Sequence, residues 1–293
     1  RNMSTAPVLI APRIHLRNIL FATDFSDSSR RALRYAEALA EKFGARVCLC
    51  HVMTPAGLAI GAPEAVPYLY EAEYEGSQKD LASLLRAEEE KGLNIDSVLE
   101  AGLLKDVLMS AIHQKKIDLV VAGTHGRTGF NRLILGSSAE EICRSASCPV
   151  LTVGPWLVTP NKIQFRRILV PTDLSEESMR VLPYVLGIAQ QYHSSITFLN
   201  VIPLNKEASD TKTAVKAKVL AMEAVLGHKL APFKHEFLVD FGDTAETILR
   251  VSREKKAELI ALGIRNAFGG PQLRSSIAYR VMGGASCPVL TCR

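Results

Sequence analysis

The chain has 293 residues, 47% hydrophobic and 22% charged, which suggests about two domains with ample material for buried cores. No apolar run reaches the roughly eighteen residues of a membrane helix. The N-terminus also lacks the charged start, apolar core and cleavage site of a signal peptide, so a cytoplasmic protein with no membrane partner is expected. The net charge of +5 is dispersed over pairs such as Lys115-Lys116, Arg166-Arg167 and Lys255-Lys256. That pattern speaks against a nucleic-acid-binding face and suits an anionic small ligand.

Short β-branched runs alternate with amphipathic stretches, the pattern of a parallel α/β sheet. Strands are expected near 18–23, 46–52, 95–100, 118–122 and 149–153, and helices near 27–43, 77–91, 104–116 and 137–146. Ser137 or Ser138 reads as the N-cap of the last of these helices, with Glu140 and Glu141 in its first turn. Residues 53–76 read as a long connection rich in Pro, Gly and Tyr, a candidate lid or partner surface carrying Tyr68, Tyr70 and Tyr74. A proline-bracketed linker follows at Gly154-Pro-Trp-Leu-Val-Thr-Pro-Asn161. A second series then begins, with strands near 167–171, 195–201, 235–240, 258–262 and 288–292. Its helices are expected near 176–192, 208–227, 244–256 and 275–284, and Pro183 predicts a kink or a late start in the first.

The two series are copies of one unit. Ile19-Leu-Phe-Ala-Thr-Asp-Phe-Ser26 returns as Ile168-Leu-Val-Pro-Thr-Asp-Leu-Ser175, with Asp24 and Asp173 standing 149 residues apart. Val47-Cys-Leu-Cys-His-Val52 returns as Ile196-Thr-Phe-Leu-Asn-Val201, and Asp118-Leu-Val-Val-Ala-Gly123 as Glu258-Leu-Ile-Ala-Leu-Gly263. Ser147-Cys-Pro-Val-Leu-Thr152 returns almost unchanged as Ser286-Cys-Pro-Val-Leu-Thr291, now shifted by 139. Two homologous domains follow, over residues 1–156 and 157–293.

The six cysteines, at 48, 50, 143, 148, 287 and 292, read as reduced and buried thiols. Cys48-Leu-Cys50-His51 lacks the Cys-x-x-Cys spacing of a structural zinc site. In a strand, Cys48 and Cys50 share one face and His51 takes the other.

The informative stretch is Gly123-Thr-His-Gly-Arg-Thr-Gly-Phe-Asn-Arg-Leu-Ile-Leu-Gly-Ser-Ser138, set between a buried strand and a helix start. Strand, glycine-rich loop and helix N-terminus together form an anion site, because backbone N–H groups approach the ligand with the helix dipole behind them. The stretch is neither a Walker A loop nor the Rossmann glycine fingerprint. Its spacing is Gly123, two residues, Gly126, nine residues, Gly136 and then Ser137.

That spacing is the nucleotide-binding motif of the universal stress protein family, which the chain resembles throughout, in its tandem two-domain form. The resemblance implies two open α/β domains, each a five-stranded parallel sheet of order 3-2-1-4-5 with helices on both faces. Ligands of such sheets bind beyond the carboxyl ends of the strands, at the point where the order reverses. Asp24 stands there, able to accept bonds from a ribose or base, and equally placed, with Ser26, to cap the next helix. In ATP-binding members the adenosine lies between the ends of strands one and two and the first glycine. Those places are Ala22, Thr23, Asp24, Val52, Ala122 and Gly123 here. The phosphates follow the rest of the loop, which here means Gly126, Arg127, Gly136, Ser137 and Ser138, with His125 inside the loop among the binding residues and Mg2+ able to accompany the phosphates. His125 reads as a loop residue rather than a catalytic base.

The second copy keeps Asp173, Val201 and Gly263 but puts Asn266 and Ser275 at the later glycine positions, so its motif is degenerate. ATP is expected in the first copy and weakly or not at all in the second. No Walker lysine or acidic pair is placed for phosphoryl transfer, so no catalytic or metal-ligating residue is assigned and slow hydrolysis is the most expected. A ligase of related fold would need a Ser-Gly-Gly-x-Asp-Ser-type loop where the chain has Thr23-Asp-Phe-Ser-Asp-Ser28. The alternative function is a member without nucleotide that acts as an interaction module. The apolar last strands are expected to pair with each other within the chain, and two chains to form a homodimer.

Overall fold

A computed structural model of the protein describes residues 14–53, 66–124, 135–154, 157, 160–203, 211–264 and 276–293. In the first copy the elements are β1 (Asn18–Ala22), α1 (Asp27–Phe43), β2 (Arg46–Met53), α2 (Val66–Glu90) and β3 (Ile95–Ala101). α3 (Leu104–Gln114), β4 (Leu119–Gly123), α4 (Ser137–Ser145) and β5 (Val150–Val153) complete it. The second copy comprises β6 (Arg167–Pro171), α5 (Glu176–Met179), α6 (Leu182–Tyr192), β7 (Ser195–Ile202) and α7 (Thr211–Leu230). It ends with β8 (Lys234–Phe241), α8 (Thr244–Glu254), β9 (Leu259–Gly263), α9 (Ile277–Gly284) and β10 (Val289–Cys292).

The strands form one ten-stranded sheet in the order β3-β2-β1-β4-β5-β10-β9-β6-β7-β8. Each half has the order 3-2-1-4-5 and is parallel throughout. The central strands are apolar and buried along their length, as strands covered by helices on both faces must be. The halves meet where β5 and β10 pair antiparallel, with Leu151 opposite Leu290. The pairing is reciprocal, since Thr152 Oγ1 donates to Val289 O at 3.2 Å and Thr291 Oγ1 to Val150 O at 3.3 Å. Each copy thereby covers the apolar edge that the other would expose.

Helices extend the junction on both faces of the sheet. Tyr192 Oη on α6 donates to Ala38 O on α1 at 3.1 Å, and the Phe165 ring meets that of Tyr192 edge-on at 5.2 Å. Cys143 Sγ on α4 lies 3.8 Å from Met282 Sδ on α9. Ile14 presses on α6 at Gly187, where an added Cβ would stand 2.1 Å from Ile14 Cγ1.

Two expectations change and one is met. α2 starts at Val66, so the end of the expected 53–76 connection is helical. Its Leu, Glu and Ala residues favour helix, and Tyr70 and Tyr74, one turn apart, stack at 6.3 Å between centroids. Residues 54–65 and the side chain of Tyr68 lie outside the described residues. The interruption that Pro183 predicted in the 176–192 helix is present: it breaks at Arg180 and Val181, and Pro183 sits in the first turn of α6, where its missing N–H costs nothing. The N-cap of α4 is Gly136, not Ser137 or Ser138.

Candidate functional site

β1 lies between β2 and β4. The chain leaves β1 into α1 and β4 into α4, and right-handed crossovers send those helices to opposite faces. Their divergence opens a crevice beyond the strand ends, the switch point of the first half-sheet. Ala22 and Ala122 are register partners at its floor.

The turn after β1 is tightly tied. Thr23 is buried; its N–H donates to Cys50 O at 2.9 Å and its Oγ1 accepts from Phe25 N–H at 3.0 Å. Asp24 Oδ1 accepts from Ser26 N–H at 3.0 Å and from Ser26 Oγ at 2.6 Å. Ser26 is the N-cap of α1, its Oγ accepting from Ser29 N–H at 3.2 Å. Asp24 therefore orients the cap instead of forming it, and remains half-buried at the crevice. Phe25 has φ +62°, a region that bulky residues rarely enter. From β2, His51 Nδ1 lies 2.7 Å from Thr23 O and the His51 ring lies 4.5 Å from that of Phe25. Because a carbonyl oxygen only accepts, Nδ1 carries the proton. Val52, the next residue of β2, is half-buried.

Across the crevice the chain returns to β4. Gly136 N–H donates to Thr124 O at 2.7 Å and so closes the loop that begins after Thr124. Gly136 has ordinary extended angles, φ −61° and ψ 149°, and no side-chain cap. The first-turn N–H groups of α4 are thus left without the serine or aspartate oxygen that usually takes them. Ser137 and Ser138, the first two helical residues, are exposed. Beside Gly123, the Ser28 hydroxyl is buried without a hydrogen-bond partner, and an added Cβ on Gly123 would stand 3.2 Å from it. His125, Gly126 and Arg127 lie outside the described residues.

The second copy repeats the turn and alters the crevice. Asp173 Oδ1 accepts from Ser175 N–H at 3.0 Å and Ser175 Oγ at 2.6 Å, and Leu174 has φ +66°. Burial opposes ionisation of Asp173, but its serine bonds outweigh it and hold the carboxyl below its usual range. Asn200 Nδ2 donates to Thr172 O at 2.7 Å, the part His51 plays in the first copy. The strand ends differ. β1 pairs with β4 from Ile19 to Ala22, whereas β6 pairs with β9 only at Ile168 and Leu169. The Thr172 N–H points to Leu199 O on β7, so by alternation the N–H of residue 171 would face β9. Pro171 has none. The first turn of α5 closes on the strand end, and an added Cβ at Gly263 would stand 1.9 Å from Glu177 O. α9 is capped by its own Ser276, whose Oγ accepts from Tyr279 N–H at 3.2 Å. Asn266 and Ser275 lie outside the described residues.

The model of the Universal stress protein family matches the chain twice, over residues 15–154 and 164–293. The chain belongs to the universal stress protein family. One member, from Methanocaldococcus jannaschii, is 35% identical over 141 residues, covering 47% of this chain and 81% of that protein. Another, from Synechocystis, is 25% identical over 308 residues, covering 95% of this chain and all (100%) of its own. The crystal structure of a family member from Archaeoglobus fulgidus superposes with a TM-score of 0.75 at 21% identity, over 95% of this chain and 97% of the other.

Family membership leaves the chemistry of the crevice to its residues. Among the described residues, no group of three or more His, Cys, Asp or Glu side chains could hold a metal ion, and no helix is long and apolar enough to cross a membrane. Burial raises the thiols of Cys50, Cys143, Cys148, Cys287 and Cys292 to about 12, and that of Cys48 further, so they serve as apolar packing. Motif reading missed Ser28, Thr124 and His51. The repeat held a signal for His51, because it sets this residue against Asn200, another side-chain N–H donor.

Proposed function

We propose that this universal stress protein binds ATP or a related adenine nucleotide in the crevice of its first domain and acts as a nucleotide-responsive regulatory factor. The observation that carries the proposal is the start of α4. Gly136 offers the helix no cap, so the first-turn N–H groups are matched to phosphate oxygens, with the Ser137 and Ser138 hydroxyls beside them. Ser28 adds a buried hydroxyl without a partner at the inner wall. Ala22, Thr23, Asp24, Val52, Ala122 and Gly123 would receive the adenosine, while His125, Gly126 and Arg127 belong to the loop between. Mg2+ would enter with the phosphates, and the chain's contribution is to bind and orient. The second domain's closed strand ends and self-capped helix favour a single site per chain.

Calorimetric titration of ATP and Mg2+ into nucleotide-free protein, beside Gly136→Asp, tests this. Aspartate is a good N-cap, so the variant should keep or raise the thermal midpoint while its carboxylate displaces phosphate. About one site per chain, lost in the variant, is the expected result. Two sites would overturn the assignment of the second domain. No heat at millimolar ATP would sink the nucleotide reading and leave an interaction module.

A further inference from the structure

One residue of the second domain reaches the loop of the first. Tyr279, in the first turn of α9, is 3% exposed, and its hydroxyl donates to Leu135 O at 3.3 Å. The Leu135 carbonyl and the Gly136 N–H are the two ends of one peptide unit, and that N–H donates to Thr124 O at 2.7 Å. A single peptide plane is therefore held at both polar ends, by α9 of one domain and by the end of β4 of the other. It leads into Gly136, the N-cap of α4, one peptide plane before the one that carries the Ser137 N–H, so holding it anchors the start of the helix from which the Ser137 and Ser138 N–H groups project. Bonds in series also polarise one another, and loss of one weakens the next.

We infer that Tyr279 is a positioning residue for the first domain's anion site, and that the second domain sets the geometry of the phosphate-binding turn. The inference rests on the nucleotide reading above. In the first copy the place of Tyr279 is taken by Glu140, a shorter side chain without a phenolic donor. The backbone N–H of Tyr279 is committed to Ser276 within α9, and only its side chain crosses between domains. The second copy thus keeps a part in the first copy's site although its own strand ends are closed.

The test uses the full chain with Tyr279→Phe, which keeps the buried ring and removes one hydroxyl. Amide exchange over residues 135–137 of the ligand-free protein should rise, and ATP affinity should fall about fivefold, the size of one neutral hydrogen bond. The thermal midpoint should move by only about 2 °C. Met282→Leu, a change of similar volume at the neighbouring contact with Cys143, should leave exchange and affinity unaltered. Unchanged exchange at 135–137, or a rise spread over the whole chain, would overturn the inference, as would equal ATP affinity in variant and parent. If the parent binds no ATP, the nucleotide reading falls, and the exchange measurement still decides whether Tyr279 holds the turn.

Discussion

Gly263 lies against the carbonyl of Glu177 so closely that an added Cβ would stand 1.9 Å from that oxygen. At the same place in the first copy, Gly123 leaves 3.2–3.3 Å to Ser28. One glycine permits a backbone contact that closes a crevice, and the other borders a crevice that stays open. Gly263→Ala must push α5 off β9 and should cost about 2–3 kcal/mol, the range of an overpacked core. Gly123→Ala meets the Ser28 hydroxyl at 3.2 Å and the Ser28 backbone at 3.3 Å, which asks for a shift of far smaller size, and should cost about 1 kcal/mol. Urea unfolding of the two variants measures both, and equal costs would contradict the asymmetry.

His51 and Asn200 hold the same carbonyl in the two copies, that of Thr23 and that of Thr172, each at 2.7 Å. His51→Asn should therefore keep the bond, whereas His51→Ala removes it. Both variants lose the ring contact with Phe25, so their difference isolates the hydrogen bond, about 1 kcal/mol in favour of asparagine. Equal stability of the two in denaturant titrations would show that the bond contributes nothing.

A pH dependence is built into the end of α2. Glu88 is 2% exposed and shares the Lys91 ammonium, at 2.8 Å, with Glu37, at 3.0 Å. Burial and then the hydrogen bond with Glu37 raise Glu88 to about 7, and Lys91 offsets part of the rise. A carboxyl raised on folding binds its proton more tightly in the folded chain. Its contribution is thus most favourable below the ordinary value of 4.5 and is lost as pH climbs through about 7. Glu88→Gln should flatten the stability profile between those limits and be the more stable form at pH of about 8. Denaturant midpoints measured across that range check the sign, and a parent that gains stability from Glu88 with rising pH would refute it.

The shared turn carries a lesson about what marks a site. Phe25 and Leu174 adopt the same left-handed backbone, and Asp24 and Asp173 make the same pair of bonds to the serine two residues on. Strain and capping are common to both copies, so neither feature distinguishes an open crevice from a closed one. Strand ends and helix starts do. Pro171 stands where the first copy has Ala22, and α9 is capped by Ser276, the counterpart of Ser137, whereas α4 begins one residue earlier on Gly136.

The sequence by itself determined the repeat, the α/β alternation and the strand spans to within a residue or two, because those rest on local periodicity and on matched letters such as Ser147–Thr152 and Ser286–Thr291. It also marked Gly136 through glycine spacing. It misread the cap of α4, since Gly-Ser-Ser offers three candidates and only the backbone angles choose among them. Tertiary structure decided the rest. The closeness of Glu177 to Gly263, the unpartnered hydroxyl of Ser28 and the bond from Tyr279 to Leu135 join residues that no local pattern connects. The first two follow from how a helix packs on a strand end within one copy and the third from how the half-sheets meet across β5 and β10, where distance in space owes nothing to distance along the chain.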